Sequence, residues 1–154
     1  LMVLISGRSG GTSNNTGKYE GFGLQFNSAT TNYSAIELSG NGSSAQSISR
    51  TTTTIDGQTY ARFNNGIKNS YNGNTAFENA QFYISNYSSS NTKSYSVDSV
   101  GEQNASDAIQ NVSAGLWDDT SAITSIKFAA IDDFVAGTVF SLYGITAGGS
   151  GTVS

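Results

Sequence analysis

The chain contains no cysteine, no histidine and no proline. Without cysteine there is no disulfide framework, no thiolate zinc site and no cysteine nucleophile; the redox compartment stays open. Without histidine a Ser-His-Asp triad is excluded and the commonest transition-metal ligand is missing. The lack of proline is unusual in a chain so rich in turn residues. Charge is scarce as well. Asp, Glu, Lys and Arg make up 12% of the residues, against roughly 25% in ordinary globular proteins. The net charge is −4 and the seven Lys and Arg are scattered, so the basic patch that a nucleic-acid partner requires is not visible. Long apolar runs are absent too. Leu1-Met2-Val3-Leu4-Ile5 falls short of the roughly seven residues of a signal-peptide core and the roughly twenty of a membrane helix, and it reads as a strand. Neither nucleic acid nor a membrane is expected as a partner.

What is present is polar and small. Ser, Thr, Asn and Gly account for about half of the 154 residues. Sixteen Phe and Tyr, one Trp and regularly spaced apolar clusters argue against disorder, because disordered chains are poor in aromatics. A chain of this length forms one domain and can bury roughly 70% of its unfolded surface. Short strands joined by turn-rich polar loops account for the composition.

The clearest strand signal is Thr138-Val139-Phe140-Ser141-Leu142-Tyr143-Gly144-Ile145, an apolar and aromatic run flanked by Gly137 and a glycine-rich tail. It is too short for a helix and suits a buried strand. Ala122 to Phe128 alternates apolar and polar residues and reads as a neighbouring strand, paired with or close to it. Earlier in the chain, Leu1 to Ser6 reads as a buried strand ended by a glycine-rich loop. That loop lacks the Lys-Ser/Thr ending of a phosphate-binding loop. Tyr19 to Phe26 places Phe22, Leu24 and Phe26 on one face, and Gly21 and Gly23 on the other, where another backbone or an aromatic ring can approach closely. Tyr33 to Leu38 is ended by the turn Gly40-Asn41-Gly42. Ser43 to Ser49 reads as a polar loop. Asp56-Gly57 between Arg50–Ile55 and Thr59–Phe63 is a hairpin signal, and Asn64 to Asn74 reads as an exposed loop. Phe77 to Tyr87 is the longest strand candidate, and Lys93 to Val97 returns from it. Ala108 to Leu116 is assigned as a strand leading to Trp117, since its Asn, Ser and Gly are weak helix formers. About eight short strands at roughly ten-residue spacing predict an all-β, antiparallel sandwich or jelly roll.

Several segments together resemble a family of jelly-roll domains of tailed bacteriophages, found in small virion proteins and at the ends of tail or fibre proteins. They are Leu4-Ile5-Ser6-Gly7-Arg8-Ser9, Leu24-Gln25-Phe26-Asn27 with Asn32-Tyr33-Ser34, Leu38-Ser39-Gly40-Asn41-Gly42-Ser43-Ser44, and Ile84-Ser85-Asn86-Tyr87. Gly115-Leu116-Trp117 with Thr120 to Ile126, and Phe134-Val135-Ala136-Gly137 running into Leu142-Tyr143-Gly144-Ile145, complete the ordered set. The resemblance covers nearly the whole chain and implies a single jelly-roll domain over residues 1–154. In that family a strand usually precedes the segment matching Leu1 to Ser6, so residues upstream of Leu1 are expected. The family has no catalytic motif to carry over. The role it implies is structural, as capsid decoration or a tail or fibre module, sometimes with glycan binding.

Candidate sites follow from chemistry. The doublets Asp118-Asp119 and Asp132-Asp133, with Glu102 and Asp107, could serve a glycosidase if two carboxylates stood roughly 5–10 Å apart. Neighbouring residues of a strand or turn point apart, and solvated loop charge is the simpler reading. The same carboxylates could hold Ca²⁺ with Asn and Gly carbonyls, yet the spaced Asp loop of a calcium site is absent. Tyr33, Tyr60, Tyr71, Tyr87 and Trp117 lie in or next to loops, where aromatic rings could stack on sugars; aromatics at strand ends also serve as core or interface anchors. Sequons at Asn14, Asn32, Asn41, Asn86, Asn104 and Asn111 are expected by chance in a chain of this composition. The expectation is a non-enzymatic structural protein on the surface of the virion. It has no catalytic residue, metal or cofactor, and it is partnered by other virion proteins and by its own copies as a homo-oligomer. Recognition of host glycans through the five aromatics is the alternative.

Overall fold

The computed structural model describes residues 1–10, 19–55, 57–68, 75–103, 107–130 and 132–145. Tyr71, Asp56, Asn14, Asn104, the Asn72-Gly73 turn, most of the first glycine-rich loop and the glycine-rich tail lie outside them. The described residues form eleven strands and no helix: β1 (Met2–Gly7), β2 (Tyr19–Phe26), β3 (Tyr33–Gly40), β4 (Ala45–Arg50), β5 (Thr52–Ile55), β6 (Gln58–Lys68), β7 (Glu78–Ile84), β8 (Lys93–Gln103), β9 (Asp107–Trp117), β10 (Ile126–Ala130) and β11 (Val139–Tyr143). They make two antiparallel sheets packed as a sandwich. The larger has the order β11-β1-β7-β8-β9-β3-β4 and the smaller β10-β2-β6-β5.

Three pairings are nested. β1 pairs with β11 and β3 with β9 in the large sheet, while β2 pairs with β10 in the small one. A long hairpin folded back and forth across two sheets produces this pattern, which is consistent with a jelly roll. The described residues add one strand to the ten segments read as strands and lengthen another, because two polar segments are recruited by their neighbours. Residues 45–49, read as part of a loop, join Arg50 in β4 and pair along β3. Asn64–Lys68, also read as a loop, continues β6 and pairs with β2 across an irregularity between Glu20 and Phe22. The hairpin expected at Asp56-Gly57 is formed, with Ile55 opposite Gln58 and Gly57 at a φ of 74°.

β10 and β11 are close but not paired. They lie in opposite sheets, and the rings of Phe128 and Phe140 stack across the gap with centroids 5.2 Å apart. The core is aromatic at its centre. The ring of Phe26 lies 5.5 Å from Trp117, 5.9 Å from Tyr95 and 6.2 Å from Tyr33. Val3, Ile5, Leu24, Phe82, Ile84 and Val97 surround these rings. One turn is tied down by Asn27, at a φ of 51°. Its Oδ1 accepts from the N–H groups of Thr124 and Ser125 at 2.8 and 3.2 Å, and its Nδ2 donates to the Ala122 carbonyl at 2.7 Å.

Candidate functional site

The structure places the predicted aromatics mostly inside. Tyr33 and Trp117 face each other in register between β3 and β9, and their rings stack at 6.3 Å. Both are buried. The Tyr33 hydroxyl accepts from the Phe26 N–H at 2.8 Å, and burial raises its pKa. Lys93, opposite Trp117 on the other flank of β9, closes over the indole with its ammonium 5.9 Å from the ring. Neither aromatic presents a ring face to solvent, so neither can stack on a sugar in this arrangement. Tyr60 is also buried. Its ring packs on Gly23, where a side chain would collide with it, and Lys127 lies 5.2 Å from the ring. The close approach anticipated at Gly23 is therefore made by an aromatic, Tyr60. Of the five, only Tyr87 is exposed within the described residues; Tyr71 lies outside them.

The acidic doublets sit in different surroundings. The Asp119 carboxylate accepts from the Ser121 N–H at 2.7 Å, and this turn contact lowers its pKa. Asp132 and Asp133 line a cleft of about 320 Å³ with Gln58, Tyr60 and Lys127. There Lys127 Nζ donates to Gln58 Oε1 at 2.7 Å, so the cation already has a partner. Among the described residues no group of three or more carboxylates gathers as a metal ion would need.

The unexpected feature is the outer face of the large sheet. In β3 the buried residues are Tyr33, Ala35, Glu37 and Ser39, and the exposed ones include Ile36 and Leu38. In β9, Asn111 and Ser113 point inward while Val112 and Leu116 point outward. The register sets Leu38 beside Val112 and Glu37 beside Ser113. Polarity is thus inverted over this half of the sheet, since an antiparallel sheet with one wet face normally turns its apolar side chains inward. Inside, Glu37 is held by Arg50 of β4, Nε to Oε2 at 3.0 Å. The side-chain polar atoms of Ser39, Ser99, Asn111 and Ser113 have no hydrogen-bond partner. Outside, Val100 joins Ile36, Leu38, Val112 and Leu116. Asp98 and Glu102 are the only charged residues on this face among the described strands.

Beyond it the face becomes more polar. Tyr83, 43% exposed, lies between Met2 and Ser96, and Gln81 lies opposite Asp98. Asn79, Gln81 and Asp98 line a shallow depression of about 330 Å³. Sequence reading missed Tyr83 because its segment reads as core strand, and period-two alternation does not say which parity faces water.

At the sheet's end, β11 departs from the buried strand expected there. Among the described residues it pairs with β1 on one side only. Val139, Phe140, Leu142 and Tyr143 are all substantially exposed. Phe140 and Leu142, with Val3, Ile126, Phe128 and Phe134, line an apolar groove of about 370 Å³ between the two sheets. No protein-family profile, curated protein or solved structure matches the chain.

Proposed function

We propose that this protein is a structural component of a tailed-bacteriophage particle, a decoration or tail/fibre module located on the virion and acting through protein–protein contacts. The observation that carries the contact part of this reading is the inverted half of the large sheet. Ile36, Leu38, Val100, Val112 and Leu116 form an exposed apolar surface, and clustered exposed apolar area of this kind marks an interaction site. A partner surface that is flat, apolar and weakly charged fits it, whereas a polyanion does not. The virion setting rests on the ordered resemblance described above. Copies of the chain, or the repeated subunits of a shell or tail, would supply such a surface many times over, and a low charge density limits repulsion between neighbours.

The test is incorporation into particles. The double variant Ile36→Lys, Val112→Lys places two charges on the exposed face and leaves the core side of both strands untouched. Particles assembled with it should lose this protein while the purified variant keeps the wild-type circular dichroism spectrum. Incorporation at the wild-type level would overturn the reading.

A second reading, recognition of host glycans, is favoured by one observation. Tyr83 is an exposed ring two residues from Gln81 on the same face of β7, and Gln81 lies opposite Asp98, so an apolar platform and hydrogen-bonding groups of the kind a sugar requires share this face. A glycan array probed with the wild type and with Tyr83→Ala decides it. Binding that is lost in the variant supports the reading, and a flat wild-type response removes it.

A further inference from the structure

Edges of β-sheets invite pairing, and proteins usually blunt them with charge, proline, bulges or short length. The other three edges here are protected. β4 is mostly polar and carries Arg50, β5 is four residues long, and β10 carries Lys127. β11 carries neither a charge nor a bulge. Val139-Phe140-Ser141-Leu142-Tyr143 contains no charge, and its register with β1 runs without irregularity through all five residues. Leu142 is 62% exposed.

We propose that β11 is the contact between two copies of this chain, paired antiparallel to itself about a two-fold axis at Ser141. That register sets Ser141 against Ser141 of the second copy, Phe140 against Leu142, and Val139 against Tyr143. Each face of the new ladder then carries aromatic–aliphatic cross-strand pairs, which are among the favourable ones. The polarity of the segment is symmetric about Ser141, so an antiparallel second copy meets it apolar against apolar on both sides of that residue, which favours a second copy as the occupant. The absence of charge also matters, because a chain with net charge −4 gains most by joining through a segment that adds no repulsion. On the inner side, Phe140 and Leu142 of both copies would close the groove over Val3, Ile126, Phe128 and Phe134. The inference names the surface that joins copies, and so rests on the oligomeric part of the reading above. Variants of the sheet face test docking on the particle and variants of the edge test pairing between copies, so either can fail alone.

The chain has no cysteine, so a single introduced one reports cleanly. Residues facing each other across an antiparallel ladder have Cα atoms roughly 4.5–5.5 Å apart, within disulfide range. Under mild oxidation S141C should cross-link to a covalent dimer at least about tenfold faster than S94C, an exposed control on β8. Ultracentrifugation of the wild type should show a concentration-dependent dimer. S141K, which sets two ammonium groups face to face on the outer side of the sheet, should weaken that dimer at least about tenfold while remaining folded. A wild type that stays monomeric would leave β11 to a strand of another protein and overturn the proposal. So would a dimer that survives S141K, or S141C cross-linking no faster than the control.

Discussion

The ring of Tyr95 fills the space that a side chain at position 115 would occupy. The two residues face each other across β8 and β9, and a Cβ built on Gly115 collides with the ring's Cε2, Cζ and Oη atoms. Gly115 is thus a seat for an aromatic ring rather than a turn. Gly115→Ala should destabilise the protein by about 1–3 kcal/mol, the usual cost of overpacking. The same change in a Tyr95→Val background should cost far less. Urea denaturation of the four members of this cycle measures the coupling, and equal costs in both backgrounds would refute the relationship.

The same tyrosine sets the alkaline limit of stability. Burial raises the pKa of Tyr95 and of Tyr33 above the ordinary tyrosine value. A group whose folded pKa is raised stabilises fully below its unfolded pKa, near 10, and loses that contribution as pH rises above it. Stability should therefore be level near neutrality and fall above about pH 10. Tyr95→Phe should flatten that fall. It should also be neutral or mildly stabilising at pH 7, because the buried Tyr95 hydroxyl has no hydrogen-bond partner. Denaturation midpoints between pH 7 and 11 check both statements.

Glu37 and Arg50 form the ion pair of the inverted region, with the Glu37 side chain fully buried and Arg50 Nε 3.0 Å away. Arg50→Met leaves a buried carboxylate without its cation, and breaking a buried pair from one side costs about 3–5 kcal/mol. Replacing both, as Glu37→Leu with Arg50→Met, should restore much of the loss. Thermal melts of the two variants order them, and a double variant less stable than the single one would contradict this account.

Asn27 holds a left-handed φ of 51° while its side chain binds Ala122, Thr124 and Ser125. Asn27→Ala forfeits these bonds and also keeps a residue with a Cβ in a strained conformation, whereas Asn27→Gly relieves the strain. Both should destabilise, the alanine variant by about 1 kcal/mol more. Equal melting temperatures would show that the backbone conformation at Asn27 carries no strain.

Strands whose two faces differ were the easiest to read from sequence. β7 lies within the longest strand candidate, the first half of β8 within its return, and the β5–β6 hairpin follows from Asp-Gly. What sequence could not show was parity and edge. In β3 a period of two fits Ile36 and Leu38 inside as well as Glu37 and Ser39 inside, and only the opposing sheet chooses. β11 read as buried because both its faces are apolar, a property shared by central strands and by unprotected edges. Tyr33 and Trp117 flank loops, a position that suits a sugar-stacking ring and a core anchor alike. They are buried because β3, β8 and β9 all end in one register at Trp117. Ala45–Arg50 carried no strand signal, since its only large apolar residue is Ile48 and its order comes from the ladder of β3.

The nested ladders impose a temporal order on assembly. β2 finds β6 early, but β1 and β2 complete their pairing only when β11 and β10 have been synthesised. Such long-range closure is slow compared with local pairing. The last two strands sit on the same side of the sandwich, coupled by the Phe128–Phe140 stack, and behave as a latch. A nascent chain that has reached Gly115 but not Phe128 already carries most of the large sheet, yet β1 and β2 still present open edges to solvent.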